Sequence, residues 1–164
     1  MKRLRCFLAG LTIALLAGGC VTPDFKPVSS IPGGKALIYI YRKPNFAGCL
    51  AKFGIFENHT YVAMLANGTY TPYFATPGTN TFGATSMGEN RINGVPLPRT
   101  DKDNLLSLNV EAGHTYYVQF TIAGWGPKIL LVKDEVGEKG IKSCKPAKFQ
   151  PGGDVNLIVV PIPI

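Results

Sequence analysis

The chain has 164 residues, of which 46% are hydrophobic, and its formal net charge at pH 7 is +7. This length is sufficient for one domain with a substantial core. Three of the excess positive charges, Lys2, Arg3 and Arg5, lie at the start of the chain and leave +4 for the rest. A mild excess without a long basic run excludes the charge pattern typical of nucleic-acid binding.

An export signal opens the chain. The basic start precedes an apolar run over residues 6–16, and small residues then lead to Cys20. The run is too short to span a bilayer, which needs ~20 residues, and the three parts together are typical of a cleaved signal peptide. Its end, Leu-Leu-Ala-Gly-Gly-Cys, resembles a lipobox, although Ala17 stands where leucine is usual. The resemblance implies that residues 1–19 are removed and that Cys20 becomes a lipid-carrying N-terminus.

Ordinary cleavage to a soluble periplasmic protein and an uncleaved anchor are the alternatives. Each buried methylene contributes roughly 0.8 kcal/mol, so one acyl chain binds marginally whereas two or three hold essentially permanently. Val21 is not the aspartate that retains lipoproteins in the inner membrane. By that resemblance we expect attachment to the outer membrane, facing the periplasm.

The cysteines predict a covalent link in the exported domain. Cys6 leaves with the signal and Cys20 takes lipid, so Cys49 and Cys144 remain. In an oxidising periplasm this pair predicts a disulfide, which closes a loop of roughly 95 residues and contributes up to ~4.7 kcal/mol in the chain-entropy model. Two buried free thiols are the alternative. Without a Cys-x-x-Cys pair or a histidine cluster, we expect no metal and no cofactor.

A tether and a β-rich domain follow the signal. Residues 20–34 are rich in Pro and Gly, which predicts a flexible, lipid-anchored tether, and the domain then occupies residues 35–164. Residues 35–42 are β-branched and aromatic on both faces, as in a central strand. Further strands are predicted at residues 49–56, 60–65, 69–75, 80–85, 105–110, 115–122, 128–132 and 155–160.

The turns between these strands indicate the fold class. Asn67-Gly68 is the strongest hairpin signal in the chain, and residues 134–143 have only weak helical character. Seven to nine short strands, with turn signals about every ten residues, predict an all-β, antiparallel β-sandwich. The polar stretch at residues 86–104 is long for a compact domain and is therefore a candidate contact loop.

Five short motifs occur in a fixed order, at residues 36–42, 61–65, 67–70, 76–78 and 112–118. Together they resemble the bacterial lipoprotein family catalogued as domain-of-unknown-function 2846, over about residues 35–135. The resemblance implies a small β-sandwich exported to the envelope, with no established activity and no catalytic residues to transfer. The chain departs from the family in the 86–104 loop, the Cys49 and Cys144 pair, and the apolar C-terminal strand.

Few residues suggest catalysis or metal binding. His59 and His114 each precede Thr-Tyr at a turn; as a pair they would serve a weak hydrolase, although polar hairpin tips explain them more simply. No Gly-x-Ser-x-Gly elbow is present. Residues 101–104 begin like a calcium loop, but Leu105 and Leu106 occupy positions that need a ligand and glycine.

Aromatic residues and the C-terminal segment are the candidate contact surfaces. Trp125, flanked by glycines, suits stacking on a sugar or contact with lipid headgroups, with a cap on the sandwich as the alternative. Tyrosines 39, 41, 116 and 117 form either a second aromatic patch or part of the core. Residues 155–164 either complete the domain's own sheet or add a strand to a partner.

These observations predict a non-enzymatic lipoprotein of the cell envelope, attached to the membrane through Cys20 and presenting a surface to an unknown envelope protein. A glycan-binding module for peptidoglycan is the second hypothesis, with Trp125 and the tyrosines as stacking platforms. A weak hydrolase that uses His59 or His114 is the third. No nucleic-acid partner is expected.

Overall fold

The computed structural model describes residues 25–58, 60–86, 91–92, 95–96, 105–123 and 126–147. Within them, two β-sheets pack face to face and one short helix covers an outer face. The predicted all-β sandwich is therefore confirmed, but two of its strand pairs are parallel, so the sheets are not wholly antiparallel as predicted. The elements are β1 (Ala36–Arg42), β2 (Phe53–Glu57), β3 (Thr60–Leu65), β4 (Thr69–Ala75), β5 (Gly78–Ser86), β6 (Arg91–Ile92), β7 (Val95–Pro96), β8 (Leu105–Val110), β9 (Thr115–Ala123), β10 (Gly126–Val132), α1 (Asp134–Ile141) and β11 (Lys145–Pro146).

β1 lies at the centre of the larger sheet. The five-stranded sheet has the order β10-β9-β1-β4-β11, and the four-stranded sheet has the order β3-β2-β5-β8. β1 pairs in parallel with β9, and β4 with β11, whereas the other pairs are antiparallel. A parallel pair needs a long crossover, and here the chain between β1 and β9 passes through the four-stranded sheet.

The space between the sheets is filled by apolar side chains. β1 contributes Ala36, Ile38 and Ile40 to this inner core, and all three are fully buried. Phe53 from β2 packs against Phe120 from β9 with ring centroids 4.6 Å apart. The inner core thus joins strands that are far apart in the sequence.

The outer face of the five-stranded sheet carries a second buried cluster. β1 contributes Leu37, Tyr39 and Tyr41 to it, because side chains alternate along a strand. α1 covers part of this face through two glycines. A Cβ on Gly137 would collide with the ring of Tyr117, and one on Gly140 would collide with the ring of Tyr41. The helix can therefore lie against the sheet only because both positions lack a side chain.

Two local predictions differ from the structure. Asn67-Gly68 does not close a hairpin, because β3 and β4 belong to different sheets and the turn leads from one sheet to the other. Gly68 has a positive φ of 64°, but Asn67 does not have the positive φ that a type I′ turn requires. The predicted strand 49–56 begins only at Phe53, since residues 48 and 51 direct their carbonyl groups to the Arg42 side chain.

The described part of the predicted tether packs on the domain instead of standing away from it. Phe25 packs against Tyr39 and Tyr70, with centroid distances of 5.5 and 5.2 Å. The backbone N–H of Val28 donates to the Tyr39 hydroxyl at 2.8 Å. The high Pro and Gly content of this segment is thus compatible with a docked, irregular conformation.

Candidate functional site

A cleft with a volume of about 590 Å³ lies on the outer face of the five-stranded sheet. The N-terminal segment forms one wall, α1 forms another, and the sheet forms the floor. Its lining combines apolar and polar side chains: Phe25, Pro27, Val28, Ser29, Ser30, Ile31, Leu37, Tyr39, Thr115, Tyr117, Asp134, Glu138 and Lys142.

A cluster of aromatic rings builds the floor of this cleft. Tyr39 stacks on Tyr117 at a centroid distance of 5.6 Å, and Phe25 contacts the edge of Tyr39. The hydroxyl of Tyr70 accepts the Lys26 backbone N–H at 3.2 Å. The N-terminal wall is therefore held by ring packing and by hydrogen bonds to tyrosine hydroxyls.

The α1 wall adds charge to the cleft. Asp134 and Glu138 are one helical turn apart, so both carboxylates lie on the same side of the helix. Burial raises the pKa of Tyr117, and the nearby Glu138 carboxylate raises it further, so its phenol stays protonated at neutral pH. Among the described residues, the lining contains carboxylates, hydroxyls and one ammonium group but no histidine or cysteine. This arrangement is suited to binding a polar ligand.

A second feature, at the end of β1, is a buried arginine that organises the loop of residues 43–52. Arg42 is 2% exposed, and its guanidinium lies 5.3 Å from the ring centroid of Phe53 and 5.8 Å from that of Phe120. It donates to the carbonyl oxygens of Gly48 at 2.6 Å and Ala51 at 2.7 Å. Burial lowers its pKa from the ordinary arginine value. The two aromatic rings and two carbonyl groups replace the water that a buried cation loses.

The structure has both Cys49 and Cys144 as free cysteines, the first exposed and the second buried. Cys144 belongs to the outer cluster and its Sγ is 3.3 Å from the Arg42 carbonyl oxygen. Cys49 belongs to the loop that the Arg42 side chain holds on the inner side of the sheet. Both thiols are thus free in this structure, and formation of the predicted disulfide in the cell stays a prediction.

Several predicted site residues lie outside the described residues: Cys20, His59, Trp125, the calcium-like stretch 101–104 and the C-terminal stretch 155–164. The 86–104 loop is described only at Ser86 and in the short β6–β7 pair. His114 lies in an exposed turn, with Nδ1 3.9 Å from a carboxylate oxygen of Glu111. Among the residues that the structure describes, no three His, Cys, Asp or Glu residues are grouped to hold a metal.

The tyrosines serve mainly as packing residues. Tyr39, Tyr41 and Tyr117 are buried, and Tyr116 is half-buried, so the packing interpretation is the one that the structure favours. The sequence-based predictions missed two important residues, Arg42 and Phe25. The signal for Arg42 was a cation that ends an otherwise apolar strand, and the signal for Phe25 was a large aromatic side chain within the Pro-rich and Gly-rich segment.

Comparisons with family models, with curated proteins and with solved structures found no match. The resemblance to the family catalogued as domain-of-unknown-function 2846 therefore stays a prediction. Within the described ranges, no helix has the length and apolar character needed to cross a bilayer.

Proposed function

We propose that the protein is a lipid-anchored, non-enzymatic component of the bacterial envelope that holds its β-sandwich at the membrane surface and presents it to another envelope component. The observation that carries this proposal is the docking of the N-terminal segment, by the contacts of Phe25 and Val28 with the outer face of the sheet. A segment packed in this way holds the chain on the domain from Phe25 onward, a few residues after the predicted lipid site.

The length of the connection supports a position close to the bilayer. Five residue steps separate Cys20 from Phe25, and a fully extended chain spans at most ~3.6 Å per residue, so the reach is about 18 Å. A lipid on Cys20 would therefore hold the sandwich beside the headgroups. The surface near the anchor would meet lipids, and the remaining surface would be available to a partner.

Metabolic labelling with an alkyne fatty acid tests the anchor. We expect label on the wild-type protein and on the control Cys49→Ala, and no label on Cys20→Ala. Mass spectrometry of the N-terminal peptide should show diacylglycerol on Cys20. Label retained by Cys20→Ala would contradict the proposal.

Crosslinking in intact cells tests the presence of a partner. A photoreactive residue at Leu131, which is exposed on the edge strand β10, should form a discrete crosslinked species with one envelope protein. The control position is Lys35, which directly precedes the central strand β1, and a photoreactive residue there should not form that species. Absence of any discrete species from several exposed positions would contradict a protein-binding role.

Glycan binding is a second candidate, favoured by the cleft with Asp134 and Glu138 beside serine and threonine hydroxyls. Carboxylates and hydroxyls of this kind form hydrogen bonds with sugar hydroxyl groups. We expect Asp134→Asn with Glu138→Gln to weaken retention on purified peptidoglycan, whereas the exposed Glu111→Gln should leave it unchanged. Trp125→Ala tests the indole independently, and equal retention of all variants would contradict this candidate.

A further inference from the structure

The loop of residues 43–52 presents two large apolar side chains to solvent. Phe46 is 95% exposed and Leu50 is 93% exposed. The other exposed large hydrophobic residues in the described part of the chain are between 36% and 46% exposed. Exposure of a Phe and a Leu side chain to water is unfavourable in free energy, because burial of each side chain would be favourable.

The loop is held in this conformation by hydrogen bonds within it and to Arg42 and Asn67. The Arg42 guanidinium binds two of its carbonyl groups, as described above. The Asn45 N–H donates to Oδ1 of Asn67 at 2.9 Å, and the Cys49 N–H donates to the Phe46 carbonyl at 3.2 Å. Gly48, at a φ of 66°, adopts the left-handed conformation that glycine accommodates. Phe46 and Leu50 are therefore exposed by a loop whose conformation is fixed by hydrogen bonds.

The charge of the loop favours an anionic surface. Lys43 and Lys52 flank it, and residues 43–52 contain no Asp or Glu. Lys52 is exposed, whereas the Lys43 side chain lies beside Gly140 of α1. Aromatic and aliphatic side chains bordered by lysines are typical of segments that lie in the interface of a bilayer with anionic lipids.

The N-terminal segment leads toward the same end of the sandwich. It runs antiparallel to β1 on the outer face: Lys35 precedes β1, Val28 binds Tyr39 in the middle of β1, and Phe25 reaches Tyr70. Tyr70 is the pairing partner of Tyr41, one residue before Arg42. Phe25 therefore lies near the end of β1 at which the loop begins, and five residue steps separate Phe25 from Cys20.

We infer that loop 43–52 is the membrane-contacting loop of the domain: Phe46 and Leu50 enter the boundary between headgroups and acyl chains, and Lys52 binds anionic headgroups. The inference rests on the proposed function, because the lipid on Cys20 brings the loop to the bilayer. An apolar groove on a protein partner is the competing occupant.

Tryptophan fluorescence tests this contact on the lipidated protein. The variant Phe46→Trp in a Trp125→Phe background has its only indole on the loop. It is reconstituted through its lipid into vesicles of phosphatidylethanolamine and phosphatidylglycerol. We expect the indole to emit at a shorter wavelength than it does in the unfolded chain without detergent. We also expect most of its emission to be lost when the acyl chains of the lipids are brominated. The matched control, Leu131→Trp in the same background, should keep water-like emission that brominated lipids do not quench.

A second variant tests whether Leu50 inserts into the membrane together with the side chain at position 46. Leu50→Ser on the Phe46→Trp background should weaken bromine quenching markedly, because loss of one buried apolar side chain lowers partition into the interface by roughly tenfold or more. Replacement of phosphatidylglycerol by phosphatidylcholine should weaken it as well.

The failures of the two proposals are distinguishable. Absence of lipid on Cys20 by mass spectrometry overturns the proposed function. Lipidated protein on vesicles, with an unquenched, water-like indole at position 46, overturns the loop inference and assigns the loop to a protein partner.

Discussion

The two faces of the five-stranded sheet are both buried, but by different means. On the inner face, Ile38 and Ile40 of β1 pack against the other sheet, whose backbone groups are paired within its own ladders. On the outer face, Tyr39 and Tyr70 pack against a segment without strand partners, and their hydroxyls accept its backbone N–H groups. The backbone N–H groups of a covering segment that is not a strand have no ladder partners, so the cluster beneath it must supply polar acceptor atoms.

Truncation on the inner face should cause the largest loss of stability. Phe120→Ala removes a ring packed against Phe53 and beside Arg42, and we expect the free energy of unfolding to fall by about 3–5 kcal/mol. Urea denaturation followed by circular dichroism measures it. On the outer face, Phe25→Ala should cost less, because Phe25 is only half-buried. Equal losses would remove the distinction between the two faces.

Gly137→Ala tests the close approach of α1 to the outer face. Alanine would favour the isolated helix by about 1 kcal/mol, but its Cβ would collide with the Tyr117 ring. We therefore expect a net destabilisation of about 1–3 kcal/mol, as for other overpacked sites. The control is Gly33→Ala, where a Cβ meets open space. A stabilised Gly137→Ala protein would show that α1 does not pack closely on this sheet.

High pH should destabilise the outer face through its buried thiol and phenol groups. Burial raises the pKa of Cys144 from 9.0 to about 11 and that of Tyr41 to about 12. A raised pKa stabilises the fold while the thiol is protonated, so this contribution is complete below pH 9 and is lost as the pH rises to 11. The loss for Cys144 is on the order of 2 kcal/mol.

Denaturation profiles from pH 8 to pH 11 measure this effect. Cys144→Ala should flatten the decline, and the exposed Cys49→Ala should not change it. An unchanged profile for Cys144→Ala would show that another group carries the alkaline transition. The wild-type protein, unfolded without reductant, shows whether Cys49 and Cys144 are free thiols or form the predicted disulfide.

Tyr39→Phe should have the smallest effect. It keeps the stacked ring and removes only the acceptor for the Val28 N–H, which costs about 1 kcal/mol. Hydrogen exchange should quicken at Val28 while the amide of Ile40, in the ladder of β1, keeps its protection. Faster exchange at both amides would mean that the two faces open together.

Much of the fold was predictable because its signals are local. The strands Thr60–Leu65, Thr69–Ala75 and Leu105–Val110 have the predicted bounds, since alternation of side chains and turn residues at both ends define them. The central position of β1 followed from apolar residues on both of its faces. For the candidate sites, Asp134 and Glu138 carried no distinctive signal, because their cleft exists only when the N-terminal segment and α1 meet.

The sequence by itself determined the β-rich class and most strand positions, and it predicts an export signal before Cys20, because alternation, turn chemistry and a short apolar run are properties of neighbouring residues. Only the tertiary structure decided that Asn67-Gly68 links two sheets and that Phe25 docks on the domain. It also decided that Arg42 is buried with its loop displaying Phe46 and Leu50. Those outcomes depend on which distant segments exclude water together, and no local pattern contains that information.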